Sequence, residues 1–339
     1  MSTILPVSTV IDSFRNALYN YDQAALAKSF ESCFAANTKI QLCYPFETLA
    51  NAKDLVSDIY PQLVRAIPDL ERRDTIVMQG ATEHGDYWVG CCGYYTGAFK
   101  QAWLDIPPTG RQVSLRFHEF FRIVDGRIAE MQAIWDIPEL MMQAGVWPLS
   151  PSIGREWHVP APASQNGLYR AKRDTAMSQA SHQLVGQMCR DLGNYASGGV
   201  EAMRLAQHWH PNSSWYGPSC IGTGRGIEGF RKCHQIPFLK ALPNRVGNAD
   251  AGHLFADNDY VGFTAWPGMH MTVSNDGWLG IAPGNQEITM RSLDFWRCEN
   301  GLIRENWVLI DMLHVYAQLN IDVFARMREL LPCYHIASE

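Results

Sequence analysis

Absent from this chain are CxxC pairs, long basic runs, and any window approaching about 18 uninterrupted apolar residues. The nine cysteines, at 33, 43, 91, 92, 189, 220, 233, 298 and 333, are odd in number and irregularly spaced, which excludes a disulfide framework and casts them as buried apolar fillers. Cys91 and Cys92 would face opposite sides of a strand. With 28 Lys and Arg against 34 Asp and Glu, the net charge of −6 offers no basic stripe to a nucleic acid. The start, MSTILPVSTVIDSF, lacks the basic, apolar and small-residue order of a signal peptide, so the cytoplasm is the expected location and no membrane is expected as a partner. Gly222-Thr-Gly-Arg-Gly226 has neither the lysine nor the preceding strand of a phosphate loop. His208 and His210 stand two apart without a carboxylate or cysteine to complete a metal set. No metal and no cofactor are expected.

What the chain does have is an internal repeat. Its 339 residues suit two domains of roughly 150 residues, and 47% apolar content can fill two cores. Residues 103–143 recur at 278–318 without a gap, and 12 of these 41 positions are identical. They include Trp103 and Trp278, Arg116 and Arg291, Arg122 and Arg297, Gly126 and Gly301, Glu130 and Glu305, and Asp136 and Asp311. Amphipathic alternation alone does not dictate charged and glycine positions at a fixed offset. We therefore read domains at 1–147 and 171–339, with a Pro- and Ser-rich linker at 148–170.

Each copy begins with apolar residues at helical spacing, over 7–36 and 49–66 in the first and 174–207 and 227–241 in the second. Each then turns to strands: 87–99, 112–124 and 127–136, echoed by 260–273, 287–298 and 302–311. Asp125-Gly126 and Asn300-Gly301 predict tight hairpins between the last two strands of each copy. A further helix is expected over 313–331. Helices followed by a curled antiparallel sheet make an α+β domain.

Three stretches of the first copy, Asp105-Ile-Pro-Pro-Thr-Gly-Arg111, Phe120-Phe-Arg122 and Glu130-Met-Gln-Ala-Ile-Trp-Asp136, resemble SnoaL-like polyketide cyclases of the nuclear transport factor 2-like superfamily. The second copy answers with Phe295-Trp-Arg297 and Glu305-Asn-Trp-Val-Leu-Ile-Asp311. The resemblance implies two tandem cone-shaped domains. It also implies that the aspartate ending the last strand, Asp311 or Asp136, shuttles a proton in a cofactor-independent reaction on a small carbonyl or polyketide-like substrate.

Strand parity places Glu305, Trp307, Leu309 and Asp311 on one face. Asp311 is the first choice for acid or base, with His270 as its partner; the competing reading is a cap for the helix that follows. Trp307, His210, Trp215, Tyr216 and His234 are the expected substrate contacts in the second copy. Tyr44, Trp88, His118 and Asp136 would build a pocket in the first. Arg116 and Arg291, with Glu119 and Asp294 three along, read as solvated or interdomain charges. The sheets of the two copies are expected to pack as an intrachain pseudo-dimer or against a second chain. A non-catalytic ligand-binding or scaffolding role, and hydrolysis by an activated water, stay open.

Overall fold

The computed structural model describes residues 7–168, 172–247 and 252–337. The first repeat opens with α1 (Asp12–Tyr19) and α2 (Gln23–Cys33). Asp22 caps α2 by accepting the Ala25 amide at 2.9 Å, and Leu26, Phe30 and Cys33 form its buried stripe. The expected helix to residue 36 stops at Cys33, because β1 (Phe34–Leu42) begins there. A π-helical turn, Leu55–Ile59, runs into α3 (Tyr60–Ala66). Four strands follow: β2 (Glu71–Ala81), β3 (Tyr87–Ala98), β4 (Gln112–Val124) and β5 (Arg127–Trp135), ahead of α4 (Ile137–Gln143). Their order is β1-β5-β4-β3-β2, with β1 parallel to β5 and β4 antiparallel to it.

The second repeat repeats this plan. It has α5 (Thr175–Leu192), α6 (Tyr195–Ala202), α7 (Leu205–His208), β6 (Trp209–Tyr216), β7 (Thr223–Arg225) and α8 (Gly226–Phe230). A second π-helical turn, Arg231–Gln235, leads into α9 (Ile236–Ala241). The sheet is completed by β8 (Val246–Gly247), β9 (Gly252–Asp257), β10 (Tyr260–Thr272), β11 (Glu287–Glu299) and β12 (Leu302–Ile310). Here β6 is parallel to β12, and β11 and β10 follow antiparallel. The chain ends with α10 (Met312–Gln318) and α11 (Val323–Ala337), where sequence spacing suggested one helix.

The offset of 175 survives in the registers. His118 lies opposite Ile134 in the first sheet and Leu293 opposite Leu309 in the second. Both hairpins turn through left-handed pairs, Asp125 and Gly126 at φ 49° and 71°, and Asn300 and Gly301 at φ 53° and 76°. This is the backbone that lets a two-residue turn match strand twist. The α+β expectation holds, with two curved, unclosed sheets carrying helices. Among the described residues no helix is long and apolar enough to cross a membrane.

The chain groups into two compact units. One comprises residues 1–77, 91–150 and 311–339, the other residues 78–90 and 151–310. The end of the second repeat thus belongs with the first unit, and the tip of the β2–β3 hairpin with the second.

Within the first unit β2 and β3 approach closely at Gly93, where an added Cβ would lie 2.2 Å from the Arg73 carbonyl oxygen. Gly93→Ala is expected to lower stability by about 1–3 kcal/mol, the usual result of overpacking. Urea denaturation followed by circular dichroism checks it; an unchanged midpoint would show that the strands can part without strain.

Candidate active site

Alternation along a strand sorts residues into two faces, and the two repeats use the same face differently. In β4 and β5 of the first unit, Phe117, Glu119 and Phe121 share a face with Ala133 and Trp135. That face is filled. Tyr95 lies 4.8 Å from Phe117 and 5.6 Å from Trp135, and Tyr60 lies 5.6 Å from Trp135, ring centre to ring centre. Glu119, fully buried, accepts hydrogen bonds from Arg72 Nη1 at 2.6 Å, Tyr95 Oη at 2.9 Å and Trp135 Nε1 at 3.1 Å. Asp74 takes the other edge of the Arg72 guanidinium at 2.9 Å. The two carboxylates hold Arg72 firmly protonated, and burial near Glu119 pushes the Tyr60 and Tyr95 phenols well up.

In the second unit the equivalent face lines a cavity of about 710 Å³. Its walls include Met290, Ser292, Asp294 and Trp296 of β11 and Asn306, Val308 and Ile310 of β12. At the gapless offset, Ser292 stands where the first repeat has Phe117, and Ile310 where it has Trp135. Losing two rings opens the space. From α5 come His182, Gly186, Met188 and Cys189; from the π-helical turn come His234 and Gln235; from β6 come Trp209 and Trp215. The volume suits a small organic ligand.

Asp294 occupies the position of Glu119, yet no ion pair reaches it among the described residues. Desolvation pushes its carboxyl up to about 7, against a hydrogen bond from Ser292. His234 stacks flat on Trp215, with ring centres 4.3 Å apart and planes 8° from parallel. Burial, then the charge of Arg245, brings its imidazole down to about 3, so it is neutral at physiological pH. Cys189 lines the same space and is exposed, against the expectation that the cysteines are buried fillers.

Of the residues singled out in the sequence, Trp215 and His234 line this cavity. Asp311 and Trp307 were expected in one pocket with at least one of His210, His234 and His270; of these only His234 lines this cavity. Trp307 lies on the other face of β12, where its Nε1 donates to Pro160 O at 3.1 Å and its ring meets Tyr216 at a tilt, ring centres 5.3 Å apart. Tyr216 Oη donates to Glu305 at 3.2 Å on that same face. His270 is exposed on β10, and His210 accepts the Asn212 amide at 3.0 Å outside the cavity. The Asp311 carboxylate caps α10 by accepting the His314 amide at 3.2 Å and also accepts the Tyr44 amide at 3.0 Å.

In the first repeat, Asp136 is buried against Arg116 at 3.0 Å, so Arg116 is an interior ion-pair partner and not a solvated charge. His118 is buried on the β4 face opposite Glu119. Trp88 meets the His253 ring at a tilt, with ring centres 4.9 Å apart. The reading of Glu119 and Asp294 as surface or interdomain charges is corrected too, since each is buried on the inner face of its own sheet. Among the described residues no group of three or more His, Cys, Asp or Glu is close enough to hold a metal ion.

The sequence profile of the SnoaL-like polyketide cyclases matches residues 21–144 and again residues 199–319. The chain belongs to the SnoaL-like polyketide cyclase family. No curated protein matches it significantly. Solved structures similar to this SnoaL-like chain include AclR, a proposed hydroxylase from Streptomyces galilaeus, with 20% identity over 43% of this chain and 84% of that one, at a TM-score of 0.35. IdmH, a proposed polyketide cyclase from Streptomyces antibioticus, is 18% identical over 41% of this chain and 98% of its own, also at 0.35. A SnoaL-like polyketide cyclase from Agrobacterium tumefaciens is 18% identical over 41% and 98%, at 0.33.

The two SnoaL-like repeats predict opposite responses at one repeat position. Below about pH 4 the Asp294 carboxyl is protonated in folded and unfolded chains alike. Between there and about 7 only the folded form holds the proton, so this group's contribution falls steadily as pH rises. Asp294→Asn should remove that slope and leave the variant a few kcal/mol more stable than the parent at pH 8. Glu119→Gln leaves the Arg72 charge less compensated and should destabilise at all these pH values by about 3 kcal/mol. Thermal melts of both variants at pH 5 and 8 test the pair; equal shifts would refute the distinction.

Proposed function

We propose that this SnoaL-like chain is a cofactor-independent acid/base enzyme acting on a small carbonyl or polyketide-like substrate in the cavity of the second unit. The reaction is a cyclisation, isomerisation or dehydration, in which Asp294 takes a proton from carbon and returns it. One observation carries this reading: a buried carboxyl with no ion-pair partner among the described residues, its pKa raised to about 7, on the wall of a cavity of about 710 Å³. A group that titrates near the working pH can both accept and release a proton. An ordinary carboxylate is too weak a base for that task. The Trp215–His234 stack offers an aromatic wall against which a planar substrate can lie, and the neutral imidazole adds no charge that would trap an anionic intermediate. The closed-packed first repeat then serves as scaffold.

The Met, Phe and Trp side chains of the cavity also suit a non-catalytic ligand carrier. A carrier would bind without turnover, and its affinity would be indifferent to the proton on Asp294.

The test is turnover of aromatic poly-β-ketone substrates by the parent, Asp294→Asn and Asp311→Asn. Asn at 294 keeps the size and removes the exchangeable proton, so kcat should fall by roughly 10² to 10⁴. Asn is also a good helix cap, so Asp311→Asn should stay within a few-fold of the parent. Parent activity should rise with pH through about 7 as the base ionises. Full turnover by Asp294→Asn alongside an inactive Asp311→Asn would move the acid/base group to the other face of the sheet.

A further inference from the structure

Several polar atoms on the cavity wall are buried without a hydrogen-bond partner among the described residues. They are Trp296 Nε1, both amide atoms of Gln235, Trp209 Nε1 and His234 Nδ1. Gln235 is 3% exposed and Trp296 5%, so bulk water does not solvate them. A buried donor left unmade is expensive, and native proteins rarely keep several in one place without a use. The indole nitrogens of Trp88 and Trp103 also find no hydrogen-bond partner among the described residues, but these side chains do not line the cavity. By contrast, the indoles of Trp135, Trp147, Trp157 and Trp307 all find acceptors.

Position in the sheet selects among these atoms. Trp296 is two residues beyond Asp294 on the same face of β11, and its cross-strand partner Asn306 is two from Val308, the partner of Asp294. Gln235 follows His234 in the π-helical turn. Trp209 pairs with Ile303, five residues down β12 from Val308, and is more remote from the carboxyl. The first repeat supplies the comparison: Phe121, which has no donor, stands at the position of Trp296 on the filled face.

We propose that Trp296 and Gln235 donate the hydrogen bonds that hold the substrate oxygen on which negative charge develops while Asp294 moves the proton. This rests on the acid/base reading above. When the Asp294 carboxylate takes a proton from the carbon beside a carbonyl, the C–H electron pair becomes the new C=C bond and the carbonyl π pair moves to oxygen. The two N–H groups stabilise that enolate oxygen in a site of low polarity, where fixed donors act strongly. As the enolate carbon forms its new bond, the pair returns from oxygen and the neutral Asp294 gives its proton back to the product.

The test uses 4-nitrophenol, whose phenolate presents an anionic oxygen on a planar ring, with 4-nitrotoluene as the isostere lacking it. At about pH 6, where Asp294 is mostly protonated, the parent should bind 4-nitrophenol as the coloured phenolate and more tightly than 4-nitrotoluene. Trp296→Phe and Gln235→Leu should each weaken phenolate binding by roughly 10-fold or more, the worth of a hydrogen bond to a charged group, and leave 4-nitrotoluene unchanged. Retained 4-nitrotoluene binding reports an intact cavity, and Phe is already accepted at the matching position of the first repeat. Asp294→Asn should keep phenolate binding, so a failure of the proton-transfer reading shows in turnover and not here. The donor proposal is overturned if the parent does not prefer the phenolate, or if both variants bind it as the parent does.

Discussion

A carboxyl group taken out of water needs either a cation or a proton, and this chain contains both solutions at one repeat position. Glu119 has Arg72 at 2.6 Å together with a tyrosine and a tryptophan donor, and buried aromatic side chains pack around it. Among the described residues no cation pairs with Asp294, and burial holds its proton up to about 7. The other differences between the repeats follow from this pair. Where the charge is neutralised, the rings of Phe117 and Trp135 pack around it. Where it is not, Ser292 and Ile310 leave a cavity whose polar wall faces inward. The two copies keep the backbone plan and differ in what fills this one face.

Much of the fold was legible because the strongest signals were local. Asp125-Gly126 and Asn300-Gly301 specify hairpins through backbone geometry that few other residue pairs tolerate, and the structure has both turns at positive φ. The gapless offset then carries strand length and register from one copy to the other. The weaker points lie where tertiary packing overrides local pattern. Helical spacing runs on into the first residues of β1 because Phe34-Ala-Ala-Asn-Thr carries little strand character, and the strand's place is set by parallel pairing with β5. β2 was missed because its first half is charged, although Arg72 within it is buried among carboxylates.

The site was half legible. Glu305 and Trp307 share a face as parity expects, both meeting Tyr216, but alternation does not say which of two faces encloses the cavity, and here both faces are buried: Trp307 is 1% exposed and Val308 5%. The family position of Asp311 pointed to one face; the bulk of the side chains points to the other. Comparing the copies position by position would have found it, since Phe117 to Ser292 and Trp135 to Ile310 are the exchanges that remove volume. Asp311 shows the competing use of an aspartate ahead of a helix, as an acceptor for otherwise unmet amides.

The account turns on the ionisation of a single side chain, which can be observed directly. In protein labelled with ¹³C at aspartate side-chain carbons, the Asp294 resonance, assigned by its loss in Asp294→Asn, should titrate with a midpoint near 7. A midpoint near 4, like that of a solvated aspartate, would mean that the carboxyl is charged throughout the physiological range, and the division between a filled, ion-paired repeat and an open, proton-holding one would fall.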